Sequence, residues 1–317
     1  MRETENQIFH RIRSSPRLTL FILLLASIII FSSCQKERTD VAQQEQKRIK
    51  PGLEVFLEKH ISLIKGKRAG LITNPTGVDS RLQSTIELFT SNPDINLVAL
   101  YGPEHGVRGN AQAGEYVSFY IDEKYSLPVF SLYGQSKKLE PDMFKNIDDY
   151  MRSFDTKKIG KIPDKAMVER IEALIFDIQD VGTRVYTYIA TMAYSMEVSA
   201  EYGIDFIVLD RPNPIDGQDM EGPILEYPEF SSYVGLYPIP MRHGMTAGEL
   251  ALLFNDKFLK NKAKLTVIPM EGWERKMWFD ETGLAWVSPS PNVPTLDTAT
   301  VYPGQVLWEG TNVSEGR

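Results

Sequence analysis

The sequence predicts an α/β protein, in which a Rossmann-like, mostly parallel sheet domain is followed by a smaller α+β domain. The first observation is that short apolar runs of strand length alternate with helical segments between residues 51 and 261. Such alternation is typical of βαβ units, whose right-handed crossovers build a parallel sheet. The second observation is that these runs stop at Gly, Pro, Asn or Asp, which end strands. No G-x-G-x-x-G motif follows the first run, so neither a dinucleotide nor another cofactor is expected.

The composition restricts the class of protein. The 317-residue chain is 42% hydrophobic and 24% charged, which is the profile of a globular protein with a buried core. Its formal net charge is -7, so it has no basic field that could neutralise phosphates. We therefore expect no nucleic-acid partner.

Residues 1–34 have the pattern of a bacterial lipoprotein signal peptide. An arginine-rich start precedes the apolar run Leu18 to Phe31, which is shorter than the roughly 20 residues of a membrane-spanning helix. Two serines then lead to Cys34, the only cysteine of the chain. We expect cleavage before Cys34 and lipidation of that residue, with residues 35–50 as a polar tether. An uncleaved N-terminal anchor is the alternative, and in either case the body lies outside the cytoplasm, attached to a bacterial membrane.

Five apolar runs are predicted as strands of the main domain. They lie, in chain order, at Arg68–Thr73, Leu97–Tyr101, Leu127–Gly134, Ala173–Asp177 and Asp205–Asp210. Helices are expected at Phe56–Ile64, Thr85–Thr90, Pro141–Phe154, Ala166–Ile171 and Tyr186–Tyr202. A last helix runs to about Leu259. The spacing of Ser84 to Glu87 and of Thr246 to Glu249 is that of a capping box at a helix start.

A domain boundary is predicted near Asn261, with residues 51–261 as the Rossmann-like catalytic domain and residues 262–317 as the smaller domain. The amino-acid composition changes there, because a further predicted strand at Leu265–Met270 is followed by all four tryptophans of the chain. A segment this short is marginal as an independent domain. We therefore expect that it is the start of a truncated domain or that it packs onto the first domain.

Polar side chains follow most of the predicted strands, and those after the second strand stand out. That run stops at Gly102-Pro103, and Glu104 and His105 come next on the loop. Ligands of open α/β sheets bind outside the carboxyl ends of the strands. A candidate site is indicated where several kinds of polar group converge at one such edge, here carboxylates, an imidazole, a guanidinium and an amide. The other candidates are Asn74, Asp177, Asp180, Asp210, Arg211, Asn213, Arg242 and His243.

Several of these candidates also have a structural interpretation. Asn74 and Asn213 precede prolines and could serve only to shape turns. Asp177 and Asp180 could form a salt-bridge network with Arg184, in which one of the two aspartates is purely structural.

The remaining candidates have similar alternatives. Glu104 could be a surface glutamate on a loop, although the flanking Gly and Pro present it tightly. Arg242 and His243 could serve helix-terminal packing. No H-x-x-x-H, H-x-H or D-x-D signature is present, so no metal is expected. The absence of G-x-S-x-G argues against a Ser-His-Asp hydrolase.

Several motifs, each weak alone, are spread over the body of the chain. They are Gly70–Val78, Gly102–Gly106, Phe176–Gly182, Leu209–Pro214, Arg242–Thr246, Pro289–Asn292, Tyr302–Gly304 and Glu309–Arg317. Together they resemble the exo-β-N-acetylmuramidase family, which was formerly catalogued as a domain of unknown function. The resemblance covers about Gly52 to Arg317. It implies a Rossmann-like domain, a smaller second domain and an active cleft between them.

The resemblance also implies an activity, the release of terminal N-acetylmuramic acid from the non-reducing end of peptidoglycan fragments. The family's proposed catalytic glutamate falls on Glu104 of the Gly-Pro-Glu-His-Gly motif. Asn312 and Glu315 in the last motif join the candidate substrate-binding residues. Family members continue past the Ser-Glu-Gly-Arg motif on which this chain ends.

Glycoside hydrolysis needs a proton donor at the leaving oxygen and usually a second carboxylate. Glu104 is the expected general acid, with His105 beside it in the catalytic set. The second group is expected among Asp177, Asp180 and Asp210. Alternatively, the substrate's own acetamido group could act as the nucleophile while an aspartate orients it.

The chemistry of the substrate predicts further contacts. Arg211 and Arg242 are candidates for the lactyl carboxylate of muramic acid, which a guanidinium can bind in a bidentate manner. The expected partners are peptidoglycan-derived muramyl saccharides, together with a membrane reached through the lipid anchor. A sugar-binding lipoprotein without catalytic activity is the competing interpretation, since a binding protein needs aromatics and amides but no proton-donating glutamate.

Overall fold

The structure is a computed structural model that describes residues 48–112, 114, 115, 117–133 and 171–312. The predicted signal peptide with Cys34, the tether up to residue 47, the helices expected between residues 141 and 170, and Glu315 lie outside these residues. No helix among the described ranges is long and apolar enough to cross a membrane.

The described strands form one seven-stranded sheet. In chain order they are Arg68–Thr73 (β1), Asn96–Gly102 (β2), Tyr120–Asp122 (β3), Leu127–Ser131 (β4), Ala173–Asp177 (β5), Asp205–Leu209 (β6) and Lys264–Ile268 (β7). Their spatial order is β3-β4-β2-β1-β5-β6-β7. All neighbours pair in parallel except β3 and β4, which are antiparallel.

The six parallel strands have the order of a doubly wound Rossmann sheet, with β3 added at one edge. The predicted fold class is therefore confirmed. The strand order reverses between β1 and β5, which lie side by side although β2, β3 and β4 separate them in the chain. At such a switch point the loops leave in opposite directions and open a crevice at the carboxyl edge. The sequence analysis missed β3, which has only three residues.

Five α-helices are described in addition to the sheet. They are Gly52–Val55 (α1), Thr85–Ser91 (α2), Tyr188–Tyr202 (α3), Ala247–Lys257 (α4) and Leu296–Gln305 (α5). The first continues as a π-helix, Phe56–His60, and a 3₁₀ turn, Ile61–Leu63. The predicted capping box at Thr246 and Glu249 is present at the start of α4.

Apolar side chains fill both faces of the sheet. In β5, Leu174 and Phe176 belong to one core cluster, which includes residues of α3 and α4. Ala173 and Ile175 point to the other cluster, which includes residues of α1 and α2. Burial on both faces explains why the strands are continuous apolar runs rather than alternating ones.

The domain boundary predicted near Asn261 is not found. Strand β7 begins at Lys264, and it pairs in parallel with β6 along five residues of each strand. The described residues from Ile49 onward form one compact unit. Residues 264–268 supply the sixth parallel strand of the Rossmann order, so their main-chain groups belong to the first sheet rather than to a new domain. The alternative that this segment packs onto the first domain agrees with the structure.

Candidate active site

Glu104 lies on the loop after β2, at the carboxyl edge of the sheet, and its side chain is partly exposed. Both oxygens of its carboxylate accept hydrogen bonds. Oε1 accepts from the backbone N–H of Gly114 at 3.0 Å. Oε2 accepts from the hydroxyl of Thr187 at 2.8 Å. No described cation forms an ion pair with Glu104, so hydrogen-bond donors alone hold the carboxylate in place.

One tyrosine hydroxyl contacts this carboxylate, and two further tyrosines lie within range of its charge. Tyr133 follows β4, and its hydroxyl hydrogen-bonds to Glu104. Burial, and secondly the negative charge of Glu104, raise the pKa of Tyr133, Tyr188 and Tyr233. The rings of Tyr133 and Tyr233 lie 5.9 Å apart. Because the phenol of Tyr133 stays protonated at neutral pH, it is available as a neutral donor to Glu104, whereas the hydroxyl of Tyr188 donates to the carbonyl of Pro289.

The loop that presents Glu104 has an unusual backbone. His105 has a φ of 72°, in the left-handed region that residues with a side chain seldom adopt. Its buried ring places Nδ1 2.9 Å from the carbonyl oxygen of Ala111. A carbonyl can only accept, so Nδ1 carries the proton and the ring ties the two ends of the loop together. This geometry gives His105 a structural role in holding the loop rather than the expected place in the catalytic set.

Asp177, at the end of β5, forms a buried ion pair with Arg211. Nε of Arg211 donates to Oδ1 at 2.6 Å, and Nη2 donates to Oδ2 at 3.0 Å. The hydroxyl of Thr85 also donates to Oδ2. The carboxylate and much of the guanidinium are engaged with each other, so the pair favours a structural role, and the expected roles of Arg211 in substrate binding and of Asp177 as second carboxylate stay predictions. In the structural alternative, Arg211 rather than Arg184 is the partner of Asp177.

Asp180 and His243 form a second buried pair. Nδ1 of His243 accepts from the backbone N–H of Met245 at 3.2 Å, so the proton of the neutral ring lies on Nε2. Nε2 is 3.2 Å from Oδ2 of Asp180 and donates to it. Oδ2 also accepts from the backbone N–H of Gly182 at 2.8 Å. Oδ1 of Asp180, although buried, has no hydrogen-bond partner in the described structure.

Asp210, at the end of β6, holds the start of α4. Its Oδ1 accepts from the backbone N–H of Gly248 at 2.8 Å and from that of Arg211 at 3.0 Å. Its Oδ2 accepts from the hydroxyl of Thr246 at 2.8 Å. Burial raises the pKa of Asp210 to about 6. These contacts give Asp210 a helix-anchoring role, and its expected contact with substrate stays a prediction.

Asn74 and Asn213, which precede prolines, shape turns in the structure. This agrees with the structural interpretation of these two residues. Oδ1 of Asn74 accepts from the backbone N–H of Thr76 at 2.9 Å. Oδ1 of Asn213 accepts from the backbone N–H of Ile215 at 3.1 Å. Both side chains are buried. Their amide oxygens are therefore committed to the backbone rather than to a ligand.

Arg242 is surrounded by acidic side chains. Its Nη2 donates to Asp216 at 2.7 Å, and its Nη1 donates to Glu221 at 2.8 Å. Asp219 lies 3.8 Å from Nη1, and the guanidinium stacks over Trp278 at 5.5 Å from the ring centroid. Three carboxylates around one guanidinium disfavour a further anion. These neighbours favour a structural role for Arg242, and its expected contact with the lactyl carboxylate stays a prediction.

The structure groups the predicted residues differently from the sequence analysis. It brings Asp180 to His243 and Asp177 to Arg211, whereas Asn312 is exposed on a turn after α5. The residues that hydrogen-bond to Glu104 were missed: Gly114, Thr187 and Tyr133. Tyr133 could have been recognised, because it lies at the carboxyl end of the strand predicted at Leu127–Gly134. Within the described ranges no cluster of three His, Cys, Asp or Glu could hold a metal ion, and the expectation of no metal stays a prediction.

Comparison with known proteins relates this chain to one family. A family model described as exo-beta-N-acetylmuramidase NamZ, N-terminal, matches residues 69–161 and 153–297. The peptidoglycan beta-N-acetylmuramidase NamZ of Bacillus subtilis (strain 168) is 50% identical over 296 residues, which cover 93% of this chain and 65% of that protein.

Two solved structures of DUF1343 family proteins from Bacteroides fragilis NCTC 9343 have a similar fold. One is 43% identical with a TM-score of 0.70, and the match covers 83% of this chain and 60% of the other. The second is 33% identical with a TM-score of 0.64, covering 84% of this chain and 63% of the other. The chain thus spans less than two thirds of the length of each of these three relatives. The match over residues 69–297 shows that the chain belongs to the exo-β-N-acetylmuramidase NamZ family.

Proposed function

We propose that the chain is a glycoside hydrolase that releases terminal N-acetylmuramic acid from the non-reducing end of peptidoglycan fragments, with Glu104 as its general acid. The setting of Glu104 carries this proposal. It is a partly exposed carboxylate at the carboxyl edge of the sheet, held by the neutral donors Gly114, Thr187 and Tyr133. The Bacillus subtilis relative, a peptidoglycan beta-N-acetylmuramidase, supports the substrate class.

The contacts of the other carboxylates support this choice. Asp177 is neutralised by Arg211, and Asp210 anchors α4. Neither has an oxygen to offer to a leaving group without the loss of a buried contact. Glu104 instead has rotatable hydroxyl donors on one side, so it can exchange a proton with a glycosidic oxygen while its position is kept.

Asp180 is the best candidate for the second carboxylate. Of the three aspartates considered, it alone keeps a buried oxygen, Oδ1, without a described partner. His243 and Gly182 hold the other oxygen and thereby fix the direction of Oδ1. Asp180 would either assist the incoming nucleophile or orient the acetamido group of the substrate.

The direct test is Glu104→Gln, which keeps the size of the side chain but cannot deliver a proton. We expect turnover of a natural disaccharide with terminal N-acetylmuramic acid to fall by about 10²–10⁴-fold. An activated phenol as leaving group needs less protonation, so a chromogenic N-acetylmuramide should lose less. Glu123→Gln, on an exposed turn between β3 and β4, is the matched control. Near wild-type turnover of the disaccharide by folded Glu104→Gln would refute the general-acid role.

The second test is Asp180→Asn, whose side chain can still accept from His243 and Gly182. Loss of a catalytic carboxylate should lower kcat by about 10²-fold or more while the melting temperature changes little. A folded Asp180→Asn protein with unchanged kcat would exclude Asp180. If the wild-type protein binds N-acetylmuramides without turning them over, the competing class of a sugar-binding protein applies instead.

We also propose that the protein is lipid-anchored outside the cytoplasm through Cys34. The support is the sequence pattern alone: an arginine-rich start, an apolar run and the sole cysteine directly after two serines. Cys34→Ser should release the protein from the membrane fraction or block its processing. Unchanged membrane partition and unchanged mass in that variant would contradict the anchor.

A further inference from the structure

Thr187 is a helix N-cap residue that does not use its side chain as a cap. It lies at the start of α3, and no side-chain cap hydrogen bond is formed there. Three other N-caps behave in the ordinary way, because Ser84, Thr246 and Thr295 each accept a hydrogen bond from the backbone N–H three residues later. The hydroxyl of Thr187 is directed elsewhere, to Oε2 of Glu104 at 2.8 Å.

The two oxygens of Glu104 therefore have donors of different kinds. The backbone N–H of Gly114, at Oε1, can only donate. The hydroxyl of Thr187, at Oε2, can donate to a carboxylate and can also accept from a carboxylic acid. A fixed donor favours the carbonyl oxygen of the neutral acid. The proton of neutral Glu104 thus belongs on Oε2, next to Thr187.

We propose that Thr187 is a positioning residue for Glu104, whose hydroxyl donates to the ionised carboxylate and turns to accept from the protonated acid. In this way Oε2 becomes the oxygen that delivers and recovers the proton, while the carboxyl group stays in place. The inference rests on the proposed role of Glu104 as general acid. It adds which oxygen carries the proton and which residue governs the exchange.

Of the other groups around Glu104, the hydroxyl of Tyr133 also hydrogen-bonds to the carboxylate. Tyr188 and Tyr233 add no described hydrogen bond to it, because the hydroxyl of Tyr188 donates to the carbonyl of Pro289 and that of Tyr233 contacts Thr191. The ring of His105 points to the carbonyl of Ala111 instead. Glu115, the nearest acidic neighbour along the loop from Gly114, is exposed and accepts from the backbone N–H of Gln112.

Tyr233 extends the same network. Its hydroxyl contacts the hydroxyls of both Thr187 and Thr191, the latter at 2.8 Å. When Thr187 donates to Glu104, its oxygen can accept from Tyr233. When Thr187 turns to accept from the acid, its own hydrogen can point to the oxygen of Tyr233, and Tyr233 then donates to Thr191. Both orientations of the Thr187 hydroxyl therefore have hydrogen-bond partners within the described structure.

The experiment compares Thr187→Val, which removes the hydroxyl at nearly constant shape, with Thr187→Ser, which keeps it. Thr187→Val removes a hydrogen bond from both protonation states of Glu104, but the bond to the ionised carboxylate is the stronger of the two, so the carboxyl group holds its proton to higher pH. We expect the alkaline limb of the pH profile of kcat/KM to move upward by about one pH unit in Thr187→Val. Thr187→Ser should restore the wild-type profile. The melting temperature of Thr187→Val should change little, because no cap bond is lost.

Thr295→Val is the matched control, since it removes a threonine hydroxyl that does cap a helix. It should lower the melting temperature and leave the pH profile unchanged. An alkaline limb that stays in place in Thr187→Val would overturn the inference, provided that Glu104→Gln has lost turnover. If Glu104→Gln keeps its turnover, the proposed function itself has failed.

A direct titration covers the case in which Thr187→Val is inactive. The carboxyl carbon of Glu104 can be followed by ¹³C NMR in labelled protein, with Glu104→Gln used for its assignment. An upward shift of the Glu104 titration in Thr187→Val, and none in Thr187→Ser, would support the role. Identical titration in all three proteins would overturn it.

Discussion

The carboxylate of Asp210 occupies the space that a side chain on Gly248 would need. A Cβ atom placed on Gly248 would lie 2.8 Å from Cγ of Asp210 and 2.5 Å from Cγ1 of Val267. The backbone N–H of Gly248 donates to the same carboxylate at 2.8 Å. The end of β6 and the first turn of α4 are thus in direct contact, which is possible only because residue 248 lacks a side chain.

This contact predicts that Gly248→Ala destabilises the protein although alanine is the better helix former. Val267 and Asp210 would have to move, and overpacking of this kind costs about 1–3 kcal/mol. Gly304→Ala in α5 is the matched control, because nothing lies within 4 Å of its Cβ position. There the substitution should stabilise by about 0.5–1 kcal/mol. Denaturant unfolding of both variants gives the change in the free energy of unfolding, which should be negative for Gly248→Ala and positive for Gly304→Ala. A stabilised Gly248→Ala protein would contradict the packing around residue 248.

The buried carboxylate of Asp210 also predicts a pH dependence of stability. Burial raises its folded-state pKa to about 6, above the ordinary value of 3.8. Between these values the folded protein binds the proton more tightly than the unfolded chain. The contribution of Asp210 to the unfolding free energy is therefore full below about pH 4 and is lost as pH rises through about 6.

Asp210→Asn removes this titration, and its amide can still meet Thr246 and Gly248. The wild-type free energy of unfolding, relative to that of Asp210→Asn, should fall by roughly 1–3 kcal/mol from pH 4 to pH 7. Asp297→Asn, an exposed aspartate in the first turn of α5, should show no such fall. A difference between wild type and Asp210→Asn that is independent of pH would refute the raised pKa.

Most of the fold could be predicted because local and global signals agree. Continuous apolar runs such as Ala173–Asp177 predict strands that are buried on both faces. The capping-box pair Thr246 and Glu249 predicts the start of α4. The boundary near Asn261 failed for a physical reason. A cluster of tryptophans changes the composition, but the partner of a strand is decided by backbone pairing, and β7 pairs with β6.

The site was less predictable, because residue type alone does not tell a ligand contact from an internal one. Arg211 and Arg242 have the chemistry of anion binding, yet each is engaged by carboxylates of the protein itself. Thr187 has the sequence position of an ordinary helix cap, and only the fold brings it to Glu104. Position along the chain identified Glu104, whereas its partners come from segments distant in sequence.

Substitutions in the Arg211–Asp177 pair can show whether Arg211 stabilises the fold or binds the lactyl carboxylate of the substrate. Removal of one partner from a buried ion pair leaves an uncompensated charge and costs about 3–5 kcal/mol, so Arg211→Met should unfold at markedly lower denaturant concentration. Arg81→Met is the control, because the Arg81 side chain is 76% exposed and its pair with Asp79 is worth little. Replacing both partners, as in Arg211→Met with Asp177→Leu, should recover part of the loss, since no unpaired charge remains. If Arg211 instead read the lactyl carboxylate of the substrate, Arg211→Met would raise KM for N-acetylmuramides at unchanged stability.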